Sequence, residues 1–214
     1  MIIRSVNRLF LTATVLGCFF FAFAAAWGQA PPAADTFVTS LIPSLTNGPS
    51  PILAVAPDST TYIKFNLSGI PAGASVNKAM LRLYVDAILK PGSFDVYELD
   101  SSWNENSLAF NTPPPKNGAS ATGGHPVSIT TSNLNQFVMV DVTSLVKAWL
   151  NNTVANNGVA LALTTNSGMF SFDSKESIFT SHEPELEIVL NGTAGPAGPA
   201  GPATPCRPCG PAGP

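Results

Sequence analysis

Charge is scarce in this chain: only 11% of its 214 residues are charged, with a formal net charge of -3. No basic field exists to neutralise a phosphate backbone, so nucleic acid is not an expected partner. Histidine is scarcer still. His125 lies in a proline- and glycine-rich stretch and His182 in Ser181-His182-Glu183-Pro184. Neither sits in a recognisable nucleophile or zinc motif, and both read as loop residues. Cysteine is confined to Cys18, Cys206 and Cys209. The stretch between the ends holds none, and a domain there depends on its core rather than on disulfides. No dense Asp-x-Asp-x-Asp loop occurs either. Asp35, Asp58, Asp86, Asp95 and Asp173 offer oxygen ligands for a structural calcium, but no cofactor is expected. Glu98, Asp100, Glu105, Asp173 and Glu176 are available for a glycosidase pair, though nothing in the sequence shows which face each other. No catalytic residue is assigned, and the chain is read as a non-enzyme.

What is present begins with Arg4 and Arg8 followed by an apolar run from Leu9 to Ala26. This reads as a secretory signal peptide over 1–30, with cuts after Ala26 or Gly28 as defensible as one after Ala30. An uncleaved anchor and a lipoprotein signal ending Val15-Leu16-Gly17-Cys18 are the rival readings. The expected location is extracellular or at the cell surface, with no stable membrane insertion once the signal is removed. At the other end, residues 192–214 carry Gly195-Pro196-Ala197, Gly198-Pro199-Ala200 and Gly201-Pro202-Ala203, the period of collagen. Three triplets are few for a triple helix, so a disordered, polyproline-like tail is expected. Cys206 and Cys209 are a candidate disulfide pair, either within one chain or between chains, and the second case would favour a trimer.

Between the ends, residues 35–191 show short stretches of period-two alternation divided by Gly, Pro, Asn and Ser. Ala79, Leu81, Leu83 and Val85 alternate with Met80, Arg82, Tyr84 and Asp86, and Ile63, Phe65 and Leu67 with Tyr62, Lys64 and Asn66. Phe94 to Leu99, Val138 to Val142, Val159 to Leu163 and Leu186 to Leu190 are further strand candidates. The pattern implies an all-β, jelly-roll-like antiparallel β-sandwich. One helix is expected, because apolar residues at 142, 145, 146, 149 and 150 keep helical spacing, with Thr143 as cap and Asn151-Asn152 as terminator. Asn111 to Pro126, with three prolines at 113–115, reads as a long surface loop. Trp149 is assigned to the core, and Trp103 is a candidate platform for sugar rings.

Several pieces, taken in order, resemble the DNRLRE domain family, the family 96 carbohydrate-binding modules. They are Asp35-Thr36-Phe37-Val38, Ile63 to Ser68 with Ile70-Pro71, Ala79 to Val85, and Trp103-Asn104-Glu105 followed by Phe110-Asn111-Thr112-Pro113. Asp141-Val142-Thr143 to Trp149, Asn157 to Leu161, Phe172 to Ser177 and Pro184-Glu185-Leu186 complete the set. Phe110 stands where the family commonly has tryptophan. The resemblance implies a sandwich that binds extracellular polysaccharide, acidic ones being known in the family, without catalysis. Basic side chains suit such a ligand, and Lys64 and Arg82 with Tyr62 and Tyr84 are expected to form one stacking and charged surface. Lys175 is ranked structural first and ligand second. The alternative functions are a structural surface protein whose sandwich heads a collagen-like stalk and, third, a small polysaccharide lyase or hydrolase.

Overall fold

The computed structural model describes residues 26–191 except 72, 113–115, 179 and 181. Residues 1–25 of the expected signal and the tail with Cys206 and Cys209 lie outside the described residues. The strands are β1 (Ala26–Ala30), β2 (Pro32–Thr39), β3 (Ile52–Val55), β4 (Ser59–Phe65), β5 (Val76–Lys90), β6 (Gly92–Leu99), β7 (Lys116–Ser120) and β8 (Val127–Ile129). After them come β9 (Phe137–Asp141), the helix α1 (Thr143–Leu150), β10 (Val159–Leu163), β11 (Met169–Asp173) and β12 (Glu185–Leu190).

Two antiparallel sheets pack face to face, as the alternation predicts. The first runs β1-β12-β5-β11-β3 with β9 also on β5, and the second β2-β4-β10-β6-β7 with β8 also on β6. At 15 residues, β5 is long enough for β12 to pair along its first half and β11 along its second. Inward side chains of both sheets share one core: Leu81, Leu83 and Val85 from β5 meet Ile63 and Phe65 from β4. Phe94 of the second sheet lies 5.9 Å from Phe170 and 5.4 Å from Phe172 of the first, in tilted and edge-on contacts favourable for aromatic pairs.

The helix forms where expected and buries Leu145, Val146, Trp149 and Leu150. Its start differs from expectation. The Thr143 hydroxyl donates to Asp141 Oδ1 at 2.6 Å and accepts from the Ala79 N–H of β5 at 2.9 Å. Asp141 Oδ1 also accepts from the Thr143 N–H at 2.9 Å, so Asp141 satisfies the end and Thr143 ties it to the sheet. Asn152, with φ 54°, ends the helix by a left-handed turn rather than through its side chain.

Two segments depart from the sequence reading. Part of the expected loop is β7, held on β6 by the pairs Tyr97↔Ser120 and Leu99↔Lys116, because an open sheet edge supplies partners that local sequence does not show. Residues 26–30, assigned above to the signal, form β1 on β12, from Ala26↔Leu190 to Ala30↔Leu186. The Ala30 side chain is fully buried. Pro31 then carries the chain across from the first sheet to β2 in the second.

Candidate functional site

The four residues expected to share a surface do not share one. Tyr62 and Lys64 point outward from β4, opposite in sense to Ile63 and Phe65, while Arg82 and Tyr84 point outward from β5, opposite to Leu81, Leu83 and Val85. Since both inward sets meet in one core, the outward sets lie on opposite surfaces of the sandwich. Period-two alternation tells inside from outside but not which sheet a strand joins.

On the second sheet Tyr62 is buried beneath Trp103, with ring centroids 6.1 Å apart. The Trp103 indole N–H donates to the Asn157 carbonyl at 2.9 Å. Burial pushes the Tyr62 hydroxyl up to about 12. Both aromatics brace the loop after β6 against a small second core with Val38, Leu99 and Leu108, and Trp103 is not a free platform.

On the first sheet, β9 sets Phe137 opposite Tyr84 and Met139 opposite Arg82, and β12 sets Glu185 opposite Arg82. The Arg82 guanidinium lies 3.7 Å over the Phe137 ring. Its Nη1 donates to Glu185 Oε2 at 2.8 Å and stands 3.7 Å from Glu187 Oε1. Tyr84 meets Phe137 edge-on at 5.1 Å. His182, from the β11–β12 loop, stacks on Tyr84 at 4.0 Å and meets Phe137 edge-on at 5.3 Å. His182 Nδ1 is 3.6 Å from Asp173 Oδ2. Burial raises Asp173 above the usual carboxylate range, against a hydrogen bond from the Thr180 hydroxyl. The result is one half-buried layer, Arg82–Phe137–Tyr84–His182, in which the rings and the guanidinium pack on one another face-on and edge-on beside hydrogen-bonding groups. Sequence reasoning missed Phe137 and His182. Phe137 was legible as the outward partner of Val138 and Val140, whereas His182 arrives from a loop.

A second cluster gathers Asp35 of β2, Glu105 of the β6–β7 loop and Glu176 of the β11–β12 loop, with carboxylate oxygens within 4.8 Å of one another. Of the five aspartates offered above for calcium, Asp35 alone belongs to it. Lys175 already supplies a cation there: its ammonium donates to Glu105 and Glu176 and lies 3.7 Å from Asp35 Oδ1. Its backbone N–H donates to Asp35 Oδ2 at 2.8 Å. Burial opposes the charge on Lys175, but these hydrogen bonds outweigh it and hold its pKa above the ordinary lysine value. Asp35, fully buried, is pushed up to about 7 by burial, with Glu176 adding to the shift.

A model of carbohydrate-binding module family 96 matches residues 26–189, from the first residue of β1 into β12. The chain belongs to carbohydrate-binding module family 96. No curated protein matches it. Family membership makes the sandwich a carbohydrate-binding module, and three motifs that carry the likeness have a structural meaning. The opening Asp35, Trp103-Asn104-Glu105 and Ser174-Lys175-Glu176 lie far apart in the chain and meet at the Lys175 cluster and its neighbouring Trp103 brace. They hold loops on the sandwich, and Lys175 is structural as ranked. No helix among the described residues is long and apolar enough to cross a membrane.

Proposed function

We propose that this family 96 module is an exported, non-catalytic protein that binds polysaccharide on the Arg82–Phe137–Tyr84–His182 layer. The cluster itself carries the reading: in a carbohydrate-binding family, half-buried aromatic rings gathered at one surface suit the apolar faces of sugars, and Arg82, Glu185 and His182 stand among them for hydroxyls. Export rests on Arg4, Arg8 and the apolar run that follows. The expectation of an acidic polysaccharide gains little from this face. Arg82 is paired with Glu185, Glu187 is close by, and Lys64 lies on the opposite surface. A neutral polysaccharide fits the balance of charge better.

Affinity electrophoresis of the full chain through gels containing neutral or acidic polymers tests this, at low and physiological salt. Retardation in a neutral polymer, insensitive to salt and lost in Tyr84→Ala and Phe137→Ala, is the expected result. Retardation only in acidic polymers, weakening with salt, would restore the acidic reading. No retardation in any gel would favour a purely structural surface protein.

A further inference from the structure

The Lys175 cluster brings together an amine, a buried carboxyl and two further carboxylates, which is more than an ion pair needs. We propose that Lys175 and Asp35 become linked by an amide bond from Nζ to Cγ, formed by the folded protein itself with Glu105 and Glu176 carrying the protons. The link is a covalent modification of the sandwich and is independent of where polysaccharide binds.

The two partners are held together from both ends of the lysine. Its backbone N–H donates to Asp35 Oδ2 at 2.8 Å, and its ammonium lies 3.7 Å from Asp35 Oδ1. Oδ1 is wholly buried and accepts no hydrogen bond among the described residues, so it is the oxygen free to leave. Oδ2 is gripped by the N–H, which steadies the charge that gathers there when the carbonyl is attacked. The Asp35 side chain has no exposure to water, and those of Lys175, Glu105 and Glu176 are 21%, 16% and 28% exposed. Water is therefore scarce at the reacting carbon, and holding the amine beside the carboxyl replaces the collision that an amide ordinarily needs.

The chemistry balances without an oxidant, a reductant or an activating group. Burial, with Glu176 adding to the shift, pushes Asp35 up to about 7, so in mildly acidic solution the carboxyl is protonated and open to attack. The Lys175 ammonium is hydrogen-bonded to Glu105 and Glu176, and one of these carboxylates takes its first proton to free the amine. Nζ then adds to Cγ, and the C–O bond to Oδ1 breaks as the tetrahedral centre collapses. Oδ1 leaves as water, with its own proton and a second one from the nitrogen passed across by the other glutamate. The amide keeps the third nitrogen proton, and the first stays on the glutamate that took it. The hydrogen bonds that keep Lys175 charged against its burial make release of the first proton the slow step. The bond thus closes after folding, and until then the cluster is held by charge alone. Once closed, it ties β2 to the β11–β12 loop, which also delivers His182, across 140 residues of chain.

Peptide mapping of the full chain, purified and kept folded in mildly acidic buffer, tests the proposal. A protease digest should yield the Asp35 and Lys175 peptides as one branched species, lighter than their sum by one water. In Lys175→Arg, which keeps a cation but offers no amine, the two peptides should come apart. Glu105→Gln combined with Glu176→Gln should slow closure about a hundredfold, the ordinary worth of general acid–base catalysis, read as the branched fraction over time. Far-UV circular dichroism shows whether each protein is folded. Separate peptides from folded wild type after long incubation would overturn the proposal. So would a branched species that persists in Lys175→Arg, or one that forms as fast without the two glutamates.

Discussion

Lys175 shows how much of the fold one side chain can hold. Its ammonium serves carboxylates from β2, the β6–β7 loop and its own loop, so Lys175→Met leaves them without a cation. The variant should lose about 3 kcal/mol in urea unfolding, the usual cost of stripping one partner from a buried ion pair. Asp35 makes the same site respond to pH. Its folded pKa of about 7 exceeds its ordinary value of 3.8, so protonation favours the folded state. That contribution is complete below about pH 4 and is lost as pH rises to 7. Asp35→Asn should flatten the dependence of the urea midpoint on pH over this window; an unchanged slope would assign it to another group. Gly158 is fixed by geometry instead. With φ at 90° and a Cβ that would fall 2.3 Å from the Ile63 carbonyl oxygen, Gly158→Ala should cost about 3 kcal/mol. At this scale the sequence was legible where a residue's company is local. It was silent on Lys175's partners, 70 and 140 residues away, and it grouped Tyr62 with Tyr84 because both alternate with core residues.

Among the elements, those that bury one face were the readable ones. β5 and β9 alternate cleanly, and α1 keeps its apolar residues on one side, so each announces both its type and its inward face. β10 does not alternate in burial: Val159 to Ala162 are all buried, because its outer face is covered by the loop that carries Trp103. β7 pairs an edge and carries little signal of its own. The helix depends on its tip as well as its apolar side. Asp141→Ala should remove both acceptor contacts to Thr143 and destabilise the protein by about 1 kcal/mol, whereas Trp149→Ala should cost about 3 to 5 kcal/mol through the cavity it leaves. Thermal melts of the pair would separate the two contributions.

For the whole molecule, the two outer surfaces have different duties. One is roofed by the Trp103 loop and held by the Lys175 cluster, and the other presents the aromatic layer. The motifs that carry the family likeness fall on both, Asp35, Glu105 and Lys175 at the first and Arg82, Tyr84 and Glu185 at the second. The fold and family were therefore legible in the sequence while the binding face was half missed, its His182 arriving from a loop. A module divided in this way should tolerate Tyr84→Ala and Phe137→Ala with little loss of stability while losing polysaccharide, which melting curves run beside the affinity gels would show.

β1 adds a consequence of another kind. It occupies one side of β12 with five residue pairs, and those five residues lie inside the stretch read as an export signal. A processing cut upstream of Ala26 keeps this strap on its own molecule. A cut after Ala30 discards it and leaves β12 with a row of unpaired N–H and C=O groups, a vacancy that a strand from another molecule can fill. The position of one peptide-bond cleavage therefore decides between a module whose β12 edge is covered by its own chain and one whose β12 edge is open to a strand of another molecule. The intact mass of the protein purified from its host, read together with its elution volume, would tell which of the two is formed.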